Sequence, residues 1–170
     1  EKLGKLQARL AKRQNGSNNY KKLQAKIQKL HAKIKNQRND FLQQESTRIV
    51  RKYDMIAVED IDLRAMGGAL KLGKNLHDNG FGMFRTMLAY KLERKGSSLV
   101  KVDRWFASTK TCSHCGHVQK IKLDERTYVC EECGFTLDRD WNAAVNIREE
   151  GKRIFLDYFK TLIEEKQAAA

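Results

Sequence analysis

Four cysteines, set as two Cys-x-x-Cys knuckles with fourteen residues between them, constrain this 170-residue chain more than any other feature. Cys112-Ser113-His114-Cys115-Gly116 and Cys130-Glu131-Glu132-Cys133-Gly134 together offer four thiolates, the number that a tetrahedral structural zinc site needs. The glycine after each knuckle lets the backbone turn around a metal without a Cβ clash. Two disulfides, or four unrelated buried thiols, are the competing reading. Every cysteine of the chain falls inside the paired knuckles, which favours zinc. No apolar run approaches the length of a membrane span, and the N-terminus lacks the apolar core of a secretion signal. Thiols arranged for a metal, without secretion, predict a reducing, cytoplasmic compartment.

The net charge of +13 is unevenly spread. Residues 1–52 carry 15 Lys and Arg against Glu1, Asp40 and Glu45, so nearly all of the excess lies in the first third. A phosphate backbone is the natural partner of such a segment, and a merely solvated helix face is the bland alternative. Leu3, Leu6 and Leu10 predict a short amphipathic helix, which Gln14–Asn19 breaks. Leu23, Ile27, Leu30, Ile34 and Phe41 then form one seam of a longer helix, interrupted by Gln37. Fours alternating with threes across a short polar loop predict an antiparallel basic helical hairpin over residues 1–52. Lys22, Lys26, Lys29 and Lys33 lie on its surface as candidate nucleic-acid contacts. Packing within the hairpin is the favoured role of the seam over a dimerising zipper.

Beyond residue 52 the period changes. Asp54-Met55-Ile56-Ala57-Val58 is a short continuous apolar run, the pattern of a strand buried on both faces of a parallel sheet. It ends in Glu59-Asp60-Ile61-Asp62, and ligands of open α/β sheets gather beyond the carboxyl ends of strands. Local pattern leaves Glu59 open between catalysis and a turn or cap role. Residues 63–79, rich in Gly, Asn and Lys, read as a mobile loop. Phe81 to Lys95 predicts a helix capped by Gly96, and residues 98–103 predict a second strand, giving a strand–helix–strand unit over 53–108. Arg104, Trp105 and Phe106 follow, with Lys110 close behind. Arg104 and Lys110 are further candidate nucleic-acid contacts. The two rings either stack on bases or fill the core of the metal ribbon over 109–137, and both readings stay open. Asp138-Arg139-Asp140 opens a helix to about Glu150, where both acids suit a cap and first turn, and a second helix over 151–170 completes a segment that begins at 138.

Four motifs, in order and spacing, resemble the C-terminal half of TnpB, the transposon-encoded relatives of type V CRISPR effector nucleases. They are Val58-Glu59-Asp60-Ile61, then Phe81-Gly82-Met83-Phe84-Arg85, then Val102 to Phe106 with Ser108 to Gly116, and last Asp138 to Ala144. The resemblance covers roughly residues 1 to 150. It implies an α/β fold, a partial RNase H-like, RuvC-type nuclease with an inserted four-cysteine zinc ribbon. It implies a prokaryotic, nucleoid-associated enzyme with a guide RNA and target DNA as partners. On that resemblance Glu59 and Asp140 match two catalytic acids, with Asp138 a weaker match, converging on Mg²⁺ or Mn²⁺ for phosphodiester hydrolysis. Ala107 stands where the family commonly has Pro.

The family's first catalytic aspartate sits on a strand upstream of the basic helices, and this sequence shows no such strand. Asp62, in an Ile61-Asp62-Leu63 context, follows Glu59 too closely to replace it. The expectation is a DNA endonuclease part that lacks its N-terminal half and is inactive alone. The alternative is a non-catalytic zinc-ribbon nucleic-acid-binding protein or a regulator derived from the nuclease. A third is a zinc-ribbon protein that chiefly contacts other proteins.

Overall fold

The computed structural model describes residues 1–62, 80–122 and 124–168. The loop expected over 63–79 lies outside the described residues. Helix α1 spans Lys2–Ala11 and α2 spans Asn18–Lys52. Leu3, Leu6 and Leu10 are half-buried against α2, whose Ile27 is the buried residue of the hairpin seam. Ser17 begins α2 by accepting a hydrogen bond from Tyr20 N at 3.2 Å, satisfying one of the free donors of the first turn.

The seam predicted to run through Phe41 shifts by one residue, because Phe41 is 62% exposed and Leu42 is buried instead. A straight α-helix drifts about 20° per heptad, and α2 changes partner along its length. Its first half packs on α1. Its second half presents Leu42, Ser46 and Val50, at four-residue spacing, toward helix α3, which spans Phe81–Lys95. Lys91 bridges the α2–α3 contact, donating to Gln43 O at 2.8 Å, Ser46 Oγ at 2.7 Å and Thr47 Oγ1 at 2.8 Å. Its ammonium thereby makes three hydrogen bonds where it is partly withdrawn from water. Lys95 closes the end of α2 through Val50 O, Tyr53 O and Asp54.

Strands β1, Met55–Glu59, and β2, Ser98–Val102, pair in parallel with Met55 opposite Ser98 and Glu59 opposite Val102. Helix α3 is the crossover, stopped by Gly96 in the left-handed region at φ 73°. The apolar run of β1 predicts a strand covered on both faces. All five of its residues are only half-buried, since β2 is its single sheet partner among the described residues. The main cluster joins Val50, Leu88 and Leu92 with Ile49, Ile56, Phe84 and Leu99.

The two short strands β3, Thr127–Val129, and β4, Thr136–Asp138, pair antiparallel within the cysteine ribbon. The last element, α4, runs unbroken over Arg139–Ala168. The pattern predicts two helices meeting near residue 150, with Gly151 at the junction. Gly151 is instead a contact point: a Cβ there would lie 2.4 Å from Ala57 Cβ on β1. The helix accepts a propensity cost of about 1 kcal/mol so that its backbone can approach the sheet. No helix of the described residues is long and apolar enough to cross a membrane.

Candidate metal centre and candidate catalytic cleft

The four cysteine sulfurs lie within 4.8 Å of one another. Cys112 Sγ is 3.8 Å from Cys133 Sγ, and Cys115 Sγ is 3.6 Å from Cys130 Sγ. Four sulfurs bonded tetrahedrally to zinc at about 2.3 Å sit about 3.8 Å apart, whereas a disulfide needs about 2 Å. The pairs run across the knuckles and fit one shared ion, so the disulfide reading fails on distance. The donor set suits zinc. The four thiols titrate as one coupled set: the Cys133 backbone N–H holds Cys130 down to about 6, while Cys115 and Cys133 are raised. Tyr128 fills the space beneath the ribbon, fully buried with Cys112 and Cys130, and donates from its hydroxyl to Lys110 O at 3.4 Å. Burial first, and the surrounding thiols second, push its phenol up to about 12.

Two asparagines tie this ribbon to α4. The Asn142 side chain accepts from Ser113 N at 2.9 Å and donates to Thr111 O at 2.8 Å. One turn later Asn146 donates to Ser108 O at 2.8 Å and Thr111 O at 2.7 Å. Both are buried, so a missing partner would cost about 1–3 kcal/mol each. Neither stands out as a site residue in the sequence. Two Asn at helical spacing within an apolar stretch are the available signal, since buried amides must find partners.

The second candidate site is a cleft of about 400 Å³ between the sheet and two helices. Ala57, Val58, Glu59 and Ile61 line it from the β1 side, Phe81, Phe84, Arg85 and Leu88 from α3, and Ala144 and Ile147 from α4. Most of that lining is apolar, so chemistry there is confined to Glu59 and Arg85. Asp140 precedes Ala144 by one helical turn and therefore shares its face of α4. It is 72% exposed on its side chain and lies 3.5 Å from Arg139 Nε. Asp138 is otherwise occupied: its Oδ1 accepts from Trp141 N at 2.9 Å, a helix cap. Among the described residues, the cysteines are the one cluster of three or more potential metal ligands.

Immediately after Glu59, the Asp60 carboxylate lies among three cations. Arg85 and Lys101 approach its Oδ1 at 3.8 Å each, and Arg104 its Oδ2 at 3.5 Å. Arg104 thus comes to the edge of the sheet where Glu59 stands. Lys110 is exposed at the entry to the ribbon. Lys22, Lys26, Lys29 and Lys33 are all exposed and form one stripe on α2, but on its outer half. Lys33 is five residues before Arg38, where α2 first comes against Gly80 at the head of α3, which is about 7.5 Å along the axis. None of the four lysines lines the cleft. Trp105 is 85% exposed, so it is no part of the ribbon core, while Phe106 is half-buried.

Family models match two stretches of the chain. Residues 1–69 match one described as "Probable transposase" (OrfB_IS605), and residues 81–147 match the "Cas12f1-like, TNB domain". A Streptomyces pristinaespiralis protein provisionally named an RNA-guided DNA endonuclease is 40% identical over 88% of this chain and 37% of its own length. InsQ of Escherichia coli K12, with the same provisional name, is 32% identical over 91% of this chain and 42% of its own. A mimivirus TnpB-like protein is 31% identical over 77% of this chain and 26% of its own. The chain thus spans about two fifths or less of the curated relatives it matches. In fold it is similar to Cas12f1 in a complex with sgRNA and target DNA, with a TM-score of 0.56 and 21% identity over 86% of this chain and 39% of that one. The two family models, over residues 1–69 and 81–147, take in all four motifs described above, and with the named relatives they show that this chain belongs to the TnpB-like family.

Proposed function

We propose that the chain is the C-terminal nuclease part of an RNA-guided DNA endonuclease, with Glu59 and Asp140 as two of its catalytic carboxylates. The observation that carries this reading is that Glu59 and Ala144 line one cleft, while Asp140 lies one turn from Ala144 on the same face of α4. In this reading the α3 crossover and α4 belong to an RNase H-like layer over 53–108 and 138–170. Residues 109–137 form its zinc ribbon and residues 1–52 its basic arm. Lys22, Lys26, Lys29, Lys33, Arg104 and Lys110 contact the guide RNA or the target DNA.

The two acids offer oxygen donors only, which suits Mg²⁺ or Mn²⁺ rather than zinc. When bound, such ions activate a water and stabilise the leaving oxygen of a phosphodiester. Glu59 is held at a strand end by the β1–β2 ladder and Asp140 by the cap that Asp138 makes, so each carboxylate has a fixed mount. Two carboxylates fall short of a complete ligand set, and the third acid implied by the family belongs to a strand that the described residues do not supply. The isolated chain is accordingly inactive, or nearly so, and gains activity with an N-terminal half.

The test mixes the purified chain with Mg²⁺ and single-stranded DNA, alone and with the N-terminal half of a close relative and its guide RNA. Cleavage is expected only in the complemented mixture and is lost with Glu59→Ala. Robust cutting by the chain alone would overturn the account of the third acid. The absence of three clustered carboxylates among the described residues favours one second reading, a nucleic-acid-binding protein or regulator without catalysis. Salt-dependent binding with no cleavage after complementation would establish that reading instead.

A further inference from the structure

The strand end that carries Glu59 also carries a group with no role so far. We propose that Asp60 organises Arg85, Lys101 and Arg104 into a phosphate clamp for single-stranded nucleic acid, with the exposed Trp105 ring as its base platform. This deepens the reading of the chain as a nucleic-acid-processing part and rests on it.

The three cations come from three places in the chain: α3, β2 and the turn beyond β2. Asp60 is fixed at their centre, since its backbone N–H donates to Val102 O at 2.9 Å and extends the parallel ladder by one step. Arg85 Nη1 donates to Ile61 O at 3.3 Å, which holds that guanidinium at the rim of the cleft it also lines. The separations of 3.5–3.8 Å from Asp60 are ion-pair distances and too long for good hydrogen bonds. Among the described residues, Lys101 and Arg104 have Asp60 as an ion-pair partner and donate no close side-chain hydrogen bond. Within this quartet three cations face one carboxylate.

Stability is a poor explanation for this arrangement. All four side chains are between a third and three fifths exposed, and ion pairs at such sites contribute about 0–1 kcal/mol. Three like charges gathered round one acid repel one another, and a bound phosphate relieves that repulsion. Guanidinium forks match phosphate oxygens two at a time, and an acid that holds them in place lowers the entropy lost on binding.

Trp105 selects the class of nucleic acid. Its backbone N–H donates to Asp103 Oδ1 at 2.7 Å, which sets the turn, while its ring is 85% exposed directly after Arg104. A ring beside a phosphate-binding cation stacks on an unpaired base, which a duplex does not present. The clamp therefore takes a single strand at the mouth of the Glu59 cleft.

The test is fluorescence anisotropy of the 170-residue chain, loaded with zinc, on a labelled oligothymidylate and on a duplex over a series of salt concentrations. Each cation that contacts a single strand contributes about 0.7 to the log–log salt slope. Arg85→Gln/Lys101→Gln/Arg104→Gln should lower that slope by about 2, and Arg85→Lys/Arg104→Lys should keep it. Trp105→Ala should weaken oligothymidylate binding about tenfold and leave duplex binding unchanged. Asp60→Asn raises the net charge by one, so an unorganised basic patch would bind more tightly; the clamp binds several-fold more weakly. Circular dichroism confirms that each variant is folded, and the Lys-for-Arg pair covers any variant that is not. A triple variant with the parent slope, or an Asp60→Asn chain that binds more tightly, overturns the clamp while leaving the nucleic-acid reading standing. A parent chain with no salt-dependent binding of oligothymidylate overturns both.

Discussion

The sheet layer and the cysteine ribbon of this protein are held together by different physics. In the sheet layer Leu92 and Val102 are fully buried, Leu88 and Val50 nearly so, and a 15-residue helix covers the strand pair. Apolar burial there, at about 25 cal/mol per Å², is the main force between the elements. The ribbon has two three-residue strands and one small cluster of Tyr128, Cys112 and Cys130. Such a core is too small to fold by burial alone, and a metal held by the four cysteines would supply the difference. The two regions are joined through α4, where Asn142 and Asn146 hydrogen-bond to the backbone of Ser108, Thr111 and Ser113. A polar seam of that kind transmits position while letting each side keep its own source of stability.

Removing the metal tests this contrast most severely. A strong chelator should unfold the ribbon, since structural zinc contributes on the order of 10 kcal/mol in small zinc domains. Near-ultraviolet dichroism should report the loss of order around Tyr128, while far-ultraviolet helix content stays close to its starting value. A fully cooperative loss of both signals would show that the regions are not independent. Next in size, Leu92→Ala should cost the sheet layer about 2–5 kcal/mol in urea denaturation, because Leu92 is fully buried in the cluster under α3. Zinc affinity, measured by competition with a chromogenic chelator, should not change.

Gly151→Ala should cost about 1–3 kcal/mol through the 2.4 Å approach to Ala57, and the loss should appear as a lower thermal midpoint. Ala57→Gly in the same chain should recover part of it, which would locate the strain at the α4–β1 contact. Asn142→Ala removes the side-chain partner of Ser113 N and one of the two donors to Thr111 O, and should cost about 1–2 kcal/mol. Its effect should reach the ribbon's zinc affinity as well as the midpoint. An effect on the midpoint alone would mean that the seam does not couple the two regions.

Much of this architecture is legible without coordinates, for reasons that particular residues make plain. Phe81 to Lys95 reads as a helix because its apolar spacing and the Gly96 stop agree. The cysteines are readable because their pairing leaves few chemical alternatives. The hairpin is visible too, although the spacing misplaces Phe41 on the seam, since a heptad count assumes one packing partner and α2 has two. The expected break near residue 150 does not occur, and local pattern cannot see Ala57 of β1 approaching the helix at Gly151. The role of Trp105 is undecidable from its neighbours, because a ring beside a metal ribbon is equally at home in the core or on the surface.

What the amino-acid string determined by itself were the features with local causes: helix periods, caps, the knuckle spacing, and the family motifs around Glu59 and Asp140. Tertiary structure alone decided which residues share a space. It put Glu59 and Ala144 on one cleft, gathered Arg85, Lys101 and Arg104 round Asp60, and joined the ribbon to α4 through Asn142 and Asn146. The physical reason is that those contacts link residues 25 positions apart, as Asp60 and Arg85 are, to 85 apart, as Glu59 and Ala144 are. Their energies depend on distance and burial that no local pattern encodes.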